Sequence, residues 1–375
     1  MLRKSIAQWA TVAGLALVGA ATVQAAEPII IGQSAPLTGS NKELGEDIRD
    51  GALAYFHKVN ADGGINGRKI ELITLDDQNK TDLSKQNTAE LLDKHNAVAL
   101  FGYASTTLSK PAMPHVEKAK VPFVAPFTGA DWMRTFRPLV FNHRAGYGDE
   151  LEKVIEHYTT FGLKRFAVLH HDDTVGSENL AAVERALKAR DLKAVSIASI
   201  KRTQKDIAQE VATVVKSNPE VVICTTLYRT TADFVKQSRK LGLNAQVVSL
   251  SFAGSTALAG ALGEAGLGVV MSQVVPTPTK ASVPIVREYH DAIKAIAPDK
   301  VHSFTGLESY IAAKILVEGV RRAGPNVTRA SLLKGLESIN NYDLGGYVVS
   351  FSPKDHNGSK YVGLTILGRD LAFKD

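Results

Sequence analysis

The chain has 375 residues, 44 Lys plus Arg against 38 Asp plus Glu (a formal charge of +6), and a single cysteine. Basic and acidic residues are interspersed, with no Lys/Arg block and no aromatic interleaving, which leaves nucleic-acid binding nothing to rest on. Cys224 alone excludes an intrachain disulfide, but a chain of this length buries enough core to do without one and has room for two domains.

Residues 1–25 read as a cleaved export signal: Arg3 and Lys4 head an uncharged run that reaches Val23, and small residues stand at Val23 and Ala25 before the cut. A membrane anchor is the alternative, since the run is nearly long enough to span a bilayer. Its Ala and Gly content and its polar Gln8, Thr11 and Thr22 favour removal. No cysteine lies near the cut, so no lipid anchor is expected. Loss of Arg3 and Lys4 takes the basic count from 44 to 42 against 38, a net +4.

The mature chain opens on a buried-type strand, Pro28–Gly39, followed by helical spacing over Glu43–Asn60 that stops at Ala61-Asp-Gly-Gly64. Lys69–Asp77 reads as a strand and Asp82–His95 as a helix. Strand-like runs recur at Val140–Arg144, Arg165–Asp172, Lys193–Ile200, Val221–Leu227, Gln246–Phe252 and Gly268–Val275. Helical patterns lie between most of them, at Gly148–Phe161, Ser177–Ala189, Asp206–Ser217, Thr231–Leu241 and Ser255–Leu262. This βα alternation predicts mainly parallel sheets with helices on both faces. Helices then follow almost in succession at Val283–Ala297, Ser303–Ala323 and Thr328–Ile339, before strands at Gly346–Phe351 and Tyr361–Leu367. Those late strands are expected to complete sheets begun earlier, so that the chain crosses between two domains more than once.

The stretch Ala97–Gly129 carries the functional signal. An apolar run ends at Gly102, a Ser/Thr cluster at Ser105–Thr107 opens a helical segment, and a second apolar run ends at Thr128-Gly129. Both strands thus finish side by side in small hydroxyl residues, where open parallel sheets bind ligands. The unpaired N–H groups of a helix start suit a carboxylate. The plainer reading is that Ser105 and Thr106 only cap that helix.

Ile31-Gly-Gln-Ser-Ala-Pro-Leu-Thr-Gly39, Asn60-Ala-Asp-Gly-Gly-Ile-Asn-Gly-Arg-Lys69, Phe101-Gly-Tyr-Ala-Ser-Thr106, Pro126-Phe-Thr-Gly-Ala130, Phe141-Asn-His-Arg-Ala145 and Leu307-Glu-Ser-Tyr310 together resemble the type 1 periplasmic binding proteins of the branched-chain amino-acid family. The resemblance runs in order along the mature chain. It implies a substrate-binding protein of an ABC importer, located in the periplasm, working with membrane permease subunits as a monomer and without a cofactor. It also implies an α/β fold of two lobes, each a mainly parallel sheet flanked by helices, joined by three hinge crossovers. Lobe one would be residues 27–146 plus 275–355, and lobe two 147–274 plus 356–375.

Carried over from that resemblance, the carboxylate-binding hydroxyl falls on Thr106, with Ser105 adjacent, and the second carboxylate loop on Phe127, Thr128 and Gly129. The positions that often hold aromatics fall on Leu44, Val175 and Leu227, with Tyr228 next door. Ser251 stands where amino-acid binders place an acid for the ligand ammonium. A buried ammonium without a carboxylate partner costs several kcal/mol, so either Asp172 or Asp173 substitutes, or the ligand lacks an α-amino group. The preferred expectation is a small organic acid, aromatic or otherwise, ahead of a hydrophobic amino acid, with Tyr103, Phe127, Tyr147 and Tyr228 as walls. Arg144 is either a second anion contact or a structural salt bridge near the hinge.

Rival functions have weaker signals. Enzyme motifs for dinucleotides, phosphate loops, nucleophile elbows and zinc helices are absent from the sequence. His170-His171-Asp172-Asp173 would present only alternate residues on one face of a strand, too few ligands for a closed metal site. Cys224 reads as core. Glu308 and Tyr310 either approach the cleft or pack. A ligand-sensing receptor domain of the same fold would need a DNA-binding or membrane-spanning partner segment, which the mature chain does not offer.

Overall fold

The computed structural model describes residues 27–39 and 41–375; the expected signal at 1–25 lies outside the described residues. In chain order the elements are β1 (Ile29–Ala35), α1 (Lys42–Ala61), β2 (Ile70–Asp76), α2 (Thr81–Asp93), β3 (Ala99–Phe101), α3 (Thr106–Ser109), α4 (Met113–Ala119), β4 (Phe123–Val124), α5 (Asp131–Arg134) and β5 (Val140–Phe141). Then come α6 (Tyr147–Thr160), β6 (Phe166–His171), α7 (Thr174–Lys188), β7 (Ser196–Ile200), α8 (Ala208–Lys216), β8 (Val221–Thr225), α9 (Tyr228–Lys240), β9 (Gln246–Ser249), α10 (Ser255–Leu262) and β10 (Val270–Gln273). The chain ends with α11 (Pro284–Ile296), α12 (Phe304–Arg322), α13 (Arg329–Glu337), β11 (Tyr342–Asp343), β12 (Val348–Val349), β13 (Gly363–Leu367) and β14 (Phe373–Lys374).

β1 to β5 form one sheet in the order β2-β1-β3-β4-β5, parallel throughout. The second sheet runs β14-β13-β10-β9-β8-β6-β7 and is parallel except for its last two strands, β13 antiparallel to β10 and β14 antiparallel to β13. Strands such as β8, buried at every residue, are apolar runs because helices cover both faces. One late strand does not follow expectation. β12 joins no earlier sheet but pairs with β11 in a separate two-stranded ribbon, since the turn at Gly345-Gly346, with φ of 104° and 94°, folds it straight back.

Local chemistry sets several boundaries. Asp173 caps α7 by accepting from Gly176 N–H at 2.9 Å, and Ser303 caps α12 by accepting from Gly306 N–H at 2.9 Å. The helix after β3 is broken into α3, a 3-10 turn at Lys110–Ala112 and α4, with Pro111 and Pro114 each at the start of a new piece.

The chain passes from the first sheet to the second after β5; after β10 its helices α11 and α12 pack against α1, and β13 then rejoins the second sheet. Residues 356–358 still lie beside β5: Asn142 N–H donates to His356 O at 2.9 Å and Gly358 N–H to Asn142 O at 2.7 Å. Of the long helices, α12 is buried almost all round and packs against α1, α11 and α13. It meets α1 where both have glycine. A Cβ on Gly51 would stand 2.2 Å from Gly306 O, so the approach admits nothing larger.

Gly51→Ala is therefore expected to lower stability by about 1–3 kcal/mol through overpacking. Gly260→Ala, in α10 with open space around its Cβ, is expected to be neutral or stabilising by up to about 1 kcal/mol. Urea unfolding of the two variants checks the contrast.

Candidate functional site

The ends of β3 and β4 converge on a hydroxyl cluster. Ser105, half-buried, caps α3 by accepting from Leu108 N–H at 3.2 Å. The buried hydroxyls of Thr106 and Thr128 lie 2.6 Å apart, and Tyr147 Oη is 3.3 Å from Thr128 Oγ1. Ala130 N–H donates to Thr128 Oγ1 at 3.1 Å, so that oxygen keeps its own proton for Thr106 or Tyr147. Gly129 allows this closeness: its carbonyl accepts from Tyr147 N–H at 2.8 Å, and a Cβ there would lie 2.6 Å from the Tyr147 ring. Burial raises the pKa of the Tyr147 phenol and keeps it neutral. Phe127 closes one side with Ile48, Ala104 and Leu108, and Leu44 packs against that patch. The arrangement is an apolar-walled set of neutral donors, suited to a carboxylate.

The other expected residues fall in different places. Tyr103 is not a wall. Its ring is fully buried in the core against Phe123, and its hydroxyl lies 3.0 Å from Thr88 Oγ1 on α2. Tyr228 does not turn inward freely, because its hydroxyl accepts from Arg229 Nε at 2.9 Å while its ring packs on the core. Val175 packs at the start of α7 and Leu227 is exposed. Phe252 supplies the aromatic that the sequence reading missed, its ring 5.0 Å from that of Tyr147. Phe252 lies beside Ser251, and no local pattern in the sequence marks its ring.

Arg144 is enclosed by protein carboxylates. Its Nη2 donates to Glu150 Oε1 at 2.9 Å and to Ser251 Oγ, and its Nη1 donates to Glu308 Oε1 at 3.3 Å. Ser251 N–H and Ser272 Oγ donate to Glu150 Oε2. Burial penalises the guanidinium charge, but Glu308 and Glu150 outweigh it and raise its pKa. Burial likewise works against the Glu308 carboxylate, yet Arg144 and His143 hold its pKa below the usual range. The salt-bridge reading of Arg144 is thus the one the geometry carries. Glu150 was not foreseen, because its partners Ser251 and Ser272 are distant in sequence.

The His170–Asp173 run is used structurally. His171 Nδ1–H donates to Ile200 O at 3.1 Å and its Nε2 accepts from Leu227 N–H at 3.0 Å. Asp173 is occupied by the α7 cap and by Arg202, while Asp172 is exposed at the end of β6. Among the described residues no group of His, Cys, Asp and Glu is placed to hold a metal ion. Cys224 is buried, and desolvation raises its thiol pKa. Surface depressions of about 320 Å³ beside Pro219 and Gly242, and of about 540 Å³ between α1 and α11, contain none of the cluster residues.

Residues 28–366 match the family described as periplasmic binding protein. This chain is a periplasmic binding protein. It belongs to the type 1, branched-chain amino-acid branch of that family. An amino acid binding protein of Pseudomonas aeruginosa is 29% identical over 229 residues, a match spanning 59% of this chain and 60% of that one. A possible leucine/isoleucine/valine-binding protein from Rhodopirellula baltica superposes with a TM-score of 0.86 at 28% identity, covering 95% of this chain and 97% of that one. A substrate-binding periplasmic protein from Ralstonia solanacearum gives a TM-score of 0.83 at 34% identity, covering 92% and 99%. Like them, this periplasmic binding protein folds as two α/β layers of mainly parallel sheet, and no helix among its described residues is long and apolar enough to cross a membrane.

Removing one partner of a buried ion pair strands the other charge. Glu150→Ala is expected to destabilise by about 3–5 kcal/mol, measured by denaturant unfolding. A second expectation concerns pH. Burial, above all, holds His171 below its ordinary 6.5. The unfolded chain therefore takes the proton first, and the stability linked to this residue is full above pH 6.5 and lost as pH falls through the folded value. His171→Asn should flatten the decline in melting temperature as pH falls below 6.5.

Proposed function

We propose that this protein is the exported substrate-capturing component of an ABC importer, binding a small carboxylate with an apolar body, a hydrophobic amino acid or a related organic acid, and handing it to membrane permease subunits. The observation that carries this reading is the Thr106–Thr128–Tyr147 hydroxyl cluster at the ends of β3 and β4, with Ala130 N–H and the start of α3 beside it. Neutral donors fixed in a buried site bind a carboxylate without the cost of burying a counter-cation. Phe127 and Phe252 stand where the ligand's apolar body would lie. The printed names of the Pseudomonas and Rhodopirellula relatives, an amino acid binding protein and a possible leucine/isoleucine/valine-binding protein, support the same class of ligand. No step of this function is chemical, so the protein is read as a binder without enzymatic activity or cofactor, acting as a monomer.

The two sheets would be the cores of two lobes, with α11–α13 belonging to the first. The passages at 142–147 and 274–284 would serve as hinge strands. The third passage would fall at 359–362, because residues 356–358 are still hydrogen-bonded to β5. Ligand would bind lobe one and be covered by lobe two, a hinge closure driven by contacts made only when shut. Arg144, bonded on one side to Glu150 and on the other to Glu308, would tie the lobes at the pivot.

A thermal-shift screen over amino acids, aromatic acids, short dicarboxylates and amides is expected to raise the melting temperature for apolar carboxylates alone. The radius of gyration from small-angle scattering should fall on adding a ligand so found. Thr106→Val should weaken that ligand by about 10- to 100-fold, the worth of a hydrogen bond to a charged group. A ligand that is an amide, or binding indifferent to Thr106→Val, would refute the carboxylate reading.

A further inference from the structure

Where α5 meets α7, two carboxylates face each other. α5 follows directly on the candidate site. Ala130, whose N–H serves Thr128, is buried in the apolar cluster that α6 and α7 form over the second sheet, and Val175 and Leu180 of α7 pack on the same cluster. Beyond it, Arg185 Nη2 of α7 stands 3.8 Å from Asp131 Oδ2 at the start of α5, with both side chains exposed, a pair of little worth in water.

Glu178 lies two turns before Arg185 on the same side of α7. Its Oε2 is shut off from water and has no hydrogen-bond partner among the described residues. Asp131 faces the carboxyl from α5, Lys110 faces it from the 3-10 turn, and the N–H groups of Asp131 and Trp132 lie nearby. Burial, and after it the Asp131 charge, raises the Glu178 pKa; Lys110 and the N–H groups offset this only in part. The other charged groups of the elements packed on α7 have partners of their own. On α6, Asp149 pairs with Arg134 and Glu152 with Arg190. On β6, His170 Nδ1–H donates to His171 O at 2.9 Å.

We propose that the α5–α7 contact is a seal between the two lobes and that the Glu178 carboxyl is its brake: ionised, it resists enclosure beside Asp131, and protonated, it lets the lobes shut. The inference rests on the two-lobe reading above, with α5 in lobe one and α7 in lobe two. Opening returns Glu178 to water and to its ordinary 4.5, whereas the shut form holds the proton more tightly. Shutting therefore takes up a proton, and the shut population grows as pH falls through the sealed value toward 4.5. At neutral pH the brake keeps the empty protein open, so that closure waits for the contacts a ligand supplies. By the same linkage, a ligand that shuts the cleft raises the proton affinity of Glu178.

Small-angle scattering of the ligand-free protein, wild type and Glu178→Gln, from neutral pH down to 4.5 tests this. The wild-type radius of gyration is expected to fall with pH. Glu178→Gln keeps the shape and removes the charge, so at neutral pH it should already have the smaller radius that wild type reaches only in acid, with no further response to pH. Trp132, the one tryptophan outside residues 1–25, gives a second readout. Its emission should move to shorter wavelength in step with the radius. A side chain that merely held α7 to α5 would loosen the contact when replaced, so an expanded Glu178→Gln overturns the brake. A wild-type radius and emission indifferent to pH overturn it as well, and so does a pH response that persists unchanged in the variant. The wild-type measurement stands even if the variant does not fold. All three outcomes leave the two lobes to the ligand-driven compaction already described; absence of compaction there too overturns the two-lobe reading, and the seal with it.

Discussion

A guanidinium taken out of water has to be answered by carboxylates, and that demand at Arg144 organises the centre of this molecule. Arg144 leaves the first sheet just after β5 and is fixed by Glu150 from α6 and Glu308 from α12. Glu150 in turn is held by Ser251 and Ser272, from the ends of β9 and β10. One buried charge therefore ties together both sheets and the passage between them. Apolar residues would fill the same volume with less desolvation cost; what an ion network adds is direction, because its bonds hold in one relative arrangement of the elements that supply them.

The hydroxyl cluster beside it follows a different logic. Thr106, Thr128 and Tyr147 are neutral, small-reach donors held by the backbone of two strand ends and one helix start. Gly129 is small because Tyr147 occupies the space a Cβ would need, and Thr128 is aimed by Ala130 N–H. On the proposed function, such a site would be prepared before ligand arrives, and little ordering cost would fall on binding.

Residues that look reactive in the sequence are elsewhere put to structural use. His171 bridges Ile200 O and Leu227 N–H, which holds the ends of β6, β7 and β8 together. Asp173 caps α7. At the cleft-side ends of a parallel sheet the unpaired backbone groups are many, and polar side chains placed there satisfy them first.

By itself the sequence determined the elements and their order, because 3.6-residue and alternating periodicities, Gly and Pro stops and cap residues act over a few neighbours. It also marked Ser105, Thr106, Thr128 and Gly129, since a Ser/Thr cluster after an apolar run is a local feature. The tertiary structure alone decided that Tyr103 faces the core, that Phe252 rather than Tyr228 meets Tyr147, that β12 pairs with β11, and that Arg144 is spent on Glu150 and Glu308. Those outcomes turn on which way a ring faces once the elements pack and on partners more than a hundred residues away in the chain (Glu150 with Ser272, Arg144 with Glu308). Pairings of that kind exist only once the sheets are assembled, when burial makes an unanswered charge or hydroxyl too costly to leave.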